Sequence, residues 1–100
     1  MGWAYLDTHR VRTLPETVLI VVTPDGGIRR VEVVSFREPL EYLPRASWYR
    51  QFDDRRLDER LQLDRGIRPV TGATLTVRAT TEAVRRVLAM HRVVGEGPRP

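Results

Sequence analysis

The alternation of apolar and polar residues near the start of the chain predicts β-structure. Residues 2–8 alternate, and one side of the predicted strand carries Trp3, Tyr5 and Asp7. Residues 17–23 form a continuous β-branched run whose length and composition favour a buried central strand over a helix. The segment between them, residues 9–16, contains Pro15 and is predicted to be a short connection.

A hairpin is predicted next. Pro24-Asp25-Gly26-Gly27 supplies the residue types of a tight turn, and residues 28–36 return as the partner strand. An isolated hairpin is marginally stable, so these segments predict an antiparallel sheet of three to four strands.

A helical period replaces the alternation over the last quarter of the chain. One stripe carries Val77, Ala83, Val84, Val87, Leu88 and His91. This pattern predicts a helix that begins at about Leu75 or Val77 and ends at about Val93, because Gly95 and two later prolines stop it. His91 is interpreted as a residue that interacts favourably with the dipole at the helix end. We therefore expect residues 1–94 to form one domain and residues 95–100 a disordered tail.

The middle of the chain predicts a short connecting helix. Ser47 is a suitable cap for a helix that places Trp48 and Phe52 on one face at i and i+4. This aromatic pair is expected to cover the sheet, and a wall for a planar ring is the alternative. Residues 53–65 are the most charged part of the chain and predict a solvated face, anchored by a short amphipathic helix or turn. The fold class is therefore predicted as α+β, with the C-terminal helix packed on one face of the sheet.

Composition narrows the class of protein. The chain has 100 residues, of which 41% are hydrophobic and 30% charged, as in an ordinary globular domain. No apolar run is long enough to span a membrane, and no signal-peptide pattern is present. The sequence begins at what already reads as a strand, so we expect either an excised domain or one whose export signal has been removed.

Several kinds of site are excluded or disfavoured by residue content. The absence of cysteine excludes disulfides and thiolate sites, and His9 and His91 lack the spacing of metal ligands. No nucleophile–base pair is readable, so no catalytic residue is predicted. The net charge of +4 comes entirely from arginine, but acids are interleaved with the arginines. A mixed-charge surface is therefore favoured over nucleic-acid binding.

One turn carries a more specific chemical signal. Thr71-Gly72-Ala73-Thr74-Leu75-Thr76 has small residues and hydroxyls and leads directly into the predicted C-terminal helix. Such a turn leaves N–H groups unpaired at the positive end of the helix dipole, which suits an anionic group such as phosphate. The alternative is that the threonines and the glycine only cap the helix.

The sequence of this turn resembles the Ser/Thr-Gly-Ala-Thr-x-Thr/Ser signature of the FMN-binding domain family. That family includes the C subunit of the sodium-pumping NADH:quinone reductase, the G subunit of the Rnf complex and regulators of nitrous-oxide respiration. Many members carry FMN in a phosphoester bond to the last threonine of the Gly-Ala-Thr core, attached by a flavin transferase. The resemblance implies Thr74 as that residue, and it extends over residues 5–92.

The chain departs from the flavinylated members of this family at one position. Flavinylated members usually have Asp six positions before the acceptor threonine, where this chain has Arg68, and the nearest upstream acid is Asp64. Arg68 is expected to pair with the FMN phosphate instead, because guanidinium makes two parallel bonds to phosphate oxygens, and Arg78 is expected to add charge. Thr74 is then either the esterified residue or a hydrogen-bond donor to the phosphate. The family also tends to have a glutamate after the third strand, here Glu38, which is either a ligand contact or a surface acid.

The function that the resemblance implies is electron relay through bound FMN rather than stand-alone catalysis. Its partners would be a reductase, a cytochrome or another flavin domain, and its location the outer face of the cytoplasmic membrane. The alternative is a non-enzymatic binding or structural module that keeps the fold without flavin.

Overall fold

The computed structural model describes residues 2–95, which form a three-stranded antiparallel sheet and two helices. The elements are β1 (Trp3–Arg10), β2 (Pro15–Val22), β3 (Ile28–Phe36), α1 (Ala46–Tyr49) and α2 (Thr74–Gly95). The strands lie in the order β1-β2-β3. The predicted α+β class, the antiparallel sheet, the short helix and the C-terminal helix are confirmed.

The central strand β2 determines which face of the sheet is buried. Every second residue points toward the helices and is almost inaccessible, a set that comprises Glu16, Val18, Ile20 and Val22. The partners of β2 include Leu6 of β1, opposite Leu19, and Val31 of β3, opposite Ile20. The β2–β3 hairpin turns at Gly26, whose φ of 88° is a conformation that favours glycine.

The connection predicted for residues 9–16 is wrong in extent, because only residues 11–14 connect the strands. His9 belongs to β1 and Glu16 to β2, and the two residues face each other across the ladder. The inward alternation of Tyr5 and Asp7 continues through His9. The sequence pattern did not predict this continuation, because the two inward-facing residues, His9 and Glu16, are polar. They pair with each other instead of with water.

Helix α2 packs its predicted stripe against the sheet. Val77, Ala83, Val84, Val87, Leu88 and His91 are all buried. The helix begins at Thr74 and its last described residue is Gly95, slightly beyond the predicted bounds at both ends. Besides lying near the end of the helix, His91 contacts β1. Its Nδ1 lies 2.6 Å from the Tyr5 hydroxyl, and its ring packs edge-on against Trp3.

The segment between β3 and α2 contains less helix than predicted. Ser47 does not cap α1: the N-cap residue is Arg45, no side chain makes the cap bond, and α1 is a single turn followed by a 3-10 turn at Arg50–Phe52. The aromatic pair belongs to the core, since the rings of Trp48 and Phe52 lie 5.3 Å apart and both are buried.

Residues 53–65 contain no helix and run through successive turns. Leu61 is fully buried, while Leu57 and Leu63 pack half-buried against the core, so these leucines anchor the turns as predicted.

The predicted disordered tail is residues 95–100. Of these, Gly95 belongs to α2, and residues 96–100 lie outside the described residues. No helix within residues 2–95 is both long enough and apolar enough to cross a bilayer.

Candidate functional site

The turn at residues 70–73 brings the chain to the beginning of α2. The N–H of Ala73 donates to the Val70 carbonyl at 3.1 Å, and the N–H of Val77 donates to the Ala73 carbonyl at 3.0 Å. Ala73 is therefore the N-cap of α2. Gly72 has a φ of 86°, and a Cβ added there would meet no atom within 4 Å, so the backbone conformation rather than crowding requires glycine.

The first turn of α2 keeps its N–H groups available. A helix offers no internal acceptor to the N–H groups of residues 74–76. The N-cap is usually a residue whose side chain accepts one of these bonds, but Ala73 has no polar side chain. Within residues 2–95, no side-chain acceptor reaches these groups either. This end of the helix therefore presents donors and a positive partial charge to whatever lies in front of it.

A pocket of about 210 Å³ lies in front of these groups. Its walls come from three separate parts of the chain: Val11, Arg12, Glu38, Tyr42, Gly72, Ala73, Thr74, Leu75 and Thr76. Five of the eight residues that the sequence predicts for the site, Gly72 to Thr76, thus line one pocket.

The three threonines of the turn have different environments. Thr74 is exposed, and its hydroxyl makes no hydrogen bond within the described chain. The Thr76 hydroxyl is buried and donates to the Tyr42 carbonyl at 2.7 Å, which ties α2 to the segment after β3. Thr71 is exposed and lies beside the pocket without lining it. Of the two threonines that line the pocket, Thr74 is therefore the one whose hydroxyl is free to donate to a ligand.

Glu38 lines the pocket and also organises the β1–β2 loop. Its Oε2 accepts hydrogen bonds from the N–H groups of Arg12, Thr13 and Leu14 at 2.8 to 3.0 Å. These bonds, that of Leu14 foremost, lower the pKa of the Glu38 carboxyl below its usual value. Glu38 is thus neither a simple surface acid nor a free ligand group: one oxygen is fully engaged in holding Arg12 at the pocket wall.

The two arginines that the sequence predicts for the site lie outside the pocket wall. Arg68 lines an adjoining groove with Arg45, Trp48 and Val70. The backbone of Arg68 is fixed there, since its N–H donates to Gln51 Oε1 and its carbonyl accepts from Trp48 Nε1. Arg78 is exposed one helical turn after Thr74, so both lie on the same face of α2.

A buried polar cluster that the sequence did not predict lies behind the pocket. Glu16 is fully buried, and its carboxylate accepts from the hydroxyls of Tyr49 at 2.8 Å and Thr80 at 2.6 Å, while His9 Nε2 lies 2.6 Å away. Nδ1 of His9 lies 2.9 Å from Asp7, whose carboxylate also contacts Arg86. Thr80 follows Thr76 by one helical turn, so the cluster supports the part of α2 that leads out of the pocket.

The electrostatics of this cluster favour a charged His9. Burial opposes protonation of the ring, but the hydrogen bonds and charges of Glu16 and Asp7 outweigh burial and raise the pKa of His9 above 6.5. Burial, with the adjacent Glu16 charge, raises the pKa of the Tyr49 hydroxyl and keeps it a donor. The available sequence signal was a glutamate at an inward position of β2 opposite a histidine.

Val11, Arg12 and Tyr42 were also missed as pocket residues, because they come from loops whose positions depend on tertiary contacts. Among residues 2–95, no cluster of side chains has the composition of a metal site.

The donor set at this pocket fits a phosphate monoester: free N–H groups at a helix N-terminus, a free hydroxyl on Thr74 and an arginine on the wall. Comparison with protein families agrees with this chemistry, since the model of the FMN-binding domain matches residues 14–89. Searches among curated proteins and among solved structures gave no match. The family match covers more than half of the chain and includes the whole turn, so the protein belongs to the FMN-binding domain family, and FMN is its cofactor.

Proposed function

We propose that this domain holds FMN by its phosphate end in the pocket at the beginning of α2 and uses it to relay electrons between protein partners. The observation that carries the proposal is the set of unpaired N–H groups at residues 74–76, which face a pocket and are left free by an alanine N-cap. Phosphate oxygens satisfy such donors, and the helix dipole stabilises their charge.

The arginines around the pocket add charge to this cradle. Arg12 lines the pocket, and the engaged Glu38 carboxylate fixes its backbone. Arg78 extends from the same face of α2 as Thr74, and Arg68 flanks the turn from the adjoining groove. We propose Arg68 and Arg78 as further phosphate partners, with Arg68 replacing the aspartate usual in the flavinylated relatives.

The pocket is smaller than a typical site that encloses a drug-sized ligand. We therefore infer that the pocket holds the phosphate end of FMN and that part of the cofactor stays accessible. Accessibility suits an electron relay, because a partner must come close to the flavin. When bound, FMN supplies the one- or two-electron chemistry, and the protein supplies position and electrostatics. A reductase would be the donor, and a cytochrome or another flavin domain the acceptor.

Thr74 is the proposed point of attachment if the flavin is covalent. A flavin transferase would replace the proton of the Thr74 hydroxyl by the flavin phosphoryl group. The new bond joins Oγ1 to phosphorus, the bond that breaks joins phosphorus to the leaving group of an activated flavin donor, and the proton is released. In the non-covalent case, the same hydroxyl donates a hydrogen bond to the phosphate.

The test is to produce the protein with and without a flavin transferase and to examine flavin fluorescence before and after denaturation. Fluorescence that survives denaturation and maps by mass to the peptide containing Thr74 supports the covalent form; Thr74→Ser should retain it and Thr74→Val should abolish it. Flavin that dissociates on denaturation supports the phosphate cradle alone. For the relay, the flavin-loaded domain should be reduced anaerobically and reoxidised by an external one-electron acceptor.

The second candidate, a structural or binding module without flavin, is favoured only by Arg68 at the position of the usual aspartate. It would replace the relay if neither preparation bound FMN.

A further inference from the structure

The charged residues of the described chain are unevenly distributed between its two ends. The β1–β2 connection, the end of β3 and the beginning of α2 all lie at the end of the molecule that contains the pocket. The arginines at this end, called here the pocket-end arginines, are Arg10, Arg12, Arg37, Arg68 and Arg78. Arg10 ends β1, and the N–H of Arg37 donates to the Pro15 carbonyl at the beginning of β2.

The pocket-end arginines are not neutralised within the described structure. Every ion pair found among residues 2–95 involves Arg30, Arg56, Arg86 or His9. The acids at the pocket end are the buried Glu16, which pairs with His9, Glu38, whose carboxylate is engaged by backbone N–H groups, and the exposed Glu41. The opposite end differs, because aspartates lie among its arginines: Asp25 pairs with Arg56, and Asp53 and Asp54 line a groove with Arg29 and Arg30. With five arginines and three carboxylates, the region around the pocket therefore has a net positive formal charge.

Exposed leucines lie on the three segments that form the pocket wall. Leu14 of the β1–β2 loop, Leu40 after β3 and Leu75 on the pocket wall are 43%, 75% and 48% exposed. Each of the three segments that form the pocket wall thus also exposes a leucine. An apolar centre with an arginine rim is the usual composition of a protein–protein interface.

We propose that the pocket end of this domain is the docking face for an acidic redox protein. The inference rests on the proposed electron relay, since a partner that exchanges electrons with the flavin must approach this opening. Carboxylates on the partner would meet the pocket-end arginines and steer the encounter, while the leucines exclude water at the centre. An acidic protein is favoured over nucleic acid, because the exposed apolar groups are leucines and the aromatic ring on the pocket wall, that of Tyr42, is only half-exposed.

The experiment measures anaerobic oxidation of the reduced, FMN-loaded domain by the soluble haem domain of cytochrome b5, an acidic one-electron carrier. Stopped-flow rate constants are compared between 20 and 500 mM NaCl for three proteins: wild type, Arg10→Glu/Arg37→Glu at the pocket end, and Arg29→Glu/Arg92→Glu at the opposite end. The two variants have the same net charge, and none of their substituted residues is assigned to FMN. Basic cytochrome c serves as the partner of opposite charge.

The docking face predicts a wild-type rate constant with cytochrome b5 that falls about tenfold or more with added salt. At low salt, the pocket-end variant should react about tenfold more slowly with cytochrome b5 and faster with cytochrome c, whereas the opposite-end variant should change less than twofold. Equal losses in the two variants would overturn the proposal, since only net charge would matter. A rate independent of salt would overturn it as well.

Two controls separate this proposal from the proposed function. FMN affinity, measured for all three proteins, shows whether the cofactor site is intact, and failure to bind FMN would contradict the proposed function alone. Association of oxidised cytochrome b5 with the flavin-free domain, measured by NMR titration at low salt, tests docking independently of flavin. Charge-dependent binding to phosphatidylserine vesicles or to DNA that the pocket-end variant abolishes, without any effect on cytochrome b5, would assign this face to a different partner and overturn the proposal.

Discussion

Thr80 and Glu16 join the helix to the sheet inside the core: the Thr80 hydroxyl donates to Glu16 Oε1 at 2.6 Å, and both residues are fully buried. The same carboxylate accepts from Tyr49 and pairs with His9, so four elements or segments meet at one buried charge. Because Thr76 lies one turn before Thr80, this contact also positions the first turn of α2, which forms the pocket wall.

Replacement of this buried carboxylate should be costly. Glu16→Gln leaves His9, Tyr49 and Thr80 with an incomplete acceptor, and breaking a buried pair is expected to lower the free energy of unfolding by about 2–4 kcal/mol. Urea denaturation at pH 7 measures this loss. Glu32→Gln is the matched control: Glu32 forms an exposed ion pair with Arg30, and the change should cost less than about 0.5 kcal/mol. Equal effects of the two substitutions would show that the Glu16 cluster does not stabilise the fold.

His9 predicts a pH dependence of stability. Its folded-state pKa is raised above 6.5, so protonation favours the folded state. The stability that His9 contributes is fully present below pH 6.5 and is lost as the pH rises through the folded-state pKa. Unfolding free energies measured between pH 5.5 and 9 should therefore decline in wild type, and the decline should be smaller in His9→Gln. The same slope in both proteins would contradict the assignment.

Glu38 predicts the opposite dependence at acid pH. Its pKa is lowered by the N–H groups of Leu14, Thr13 and Arg12, so its contribution is present above about pH 4.5, the ordinary value, and is lost as the pH falls through the folded-state pKa. Glu38→Gln should lower the melting temperature at pH 7 and weaken the loss of stability on acidification. Thermal melts from pH 2.5 to 7 test this, with Glu41→Gln as an exposed control. An unchanged acid profile in Glu38→Gln would show that the carboxylate does not hold the loop.

Two glycines offer a matched test of the turn. Gly72 and Gly26 have φ values of 86° and 88°, and an added Cβ would meet no atom within 4 Å at either position. Alanine at each should cost about 1 kcal/mol of stability, because an L-residue is disfavoured there. Only Gly72→Ala should also weaken FMN binding, since Gly26 lies in the hairpin at the opposite end. FMN titration of both variants checks this, and equal FMN affinities would contradict a role for the turn in cofactor binding.

The sequence predicted the fold well where local pattern and tertiary burial agree. One pattern dominates in the β-branched run of β2 and in the stripe of α2, and glycines mark the turn before β3. Each of these segments forms the predicted element. The prediction was wrong where a polar residue is buried. His9 and Glu16 were predicted to lie in a connection, because polar residues do not indicate inward-facing strand positions. They face inward only because they pair with each other, because their strands form a ladder of eight residues, and because a helix covers that face of the sheet.

The candidate site shows the same contrast. The run from Gly72 to Thr76 could be proposed from the sequence because it forms one continuous turn. Val11, Arg12 and Tyr42 enter the pocket only because Glu38 holds one loop and Thr76 holds another, and neither contact has a signature in local sequence. The prediction that Ser47 caps α1 was wrong, because a side chain suited to capping does not by itself show where a helix begins.

The central claim, that the beginning of α2 binds the phosphate of FMN, is tested most directly by titrating the flavin-free domain with FMN and with riboflavin, which lacks the phosphate. Flavin fluorescence gives both dissociation constants under one set of conditions, and added inorganic phosphate provides a competitor. The account predicts that FMN binds at least about tenfold more tightly than riboflavin, because charge-assisted hydrogen bonds to the phosphate are lost, and that inorganic phosphate weakens FMN binding. Equal affinities for the two flavins, with no effect of phosphate, would contradict it.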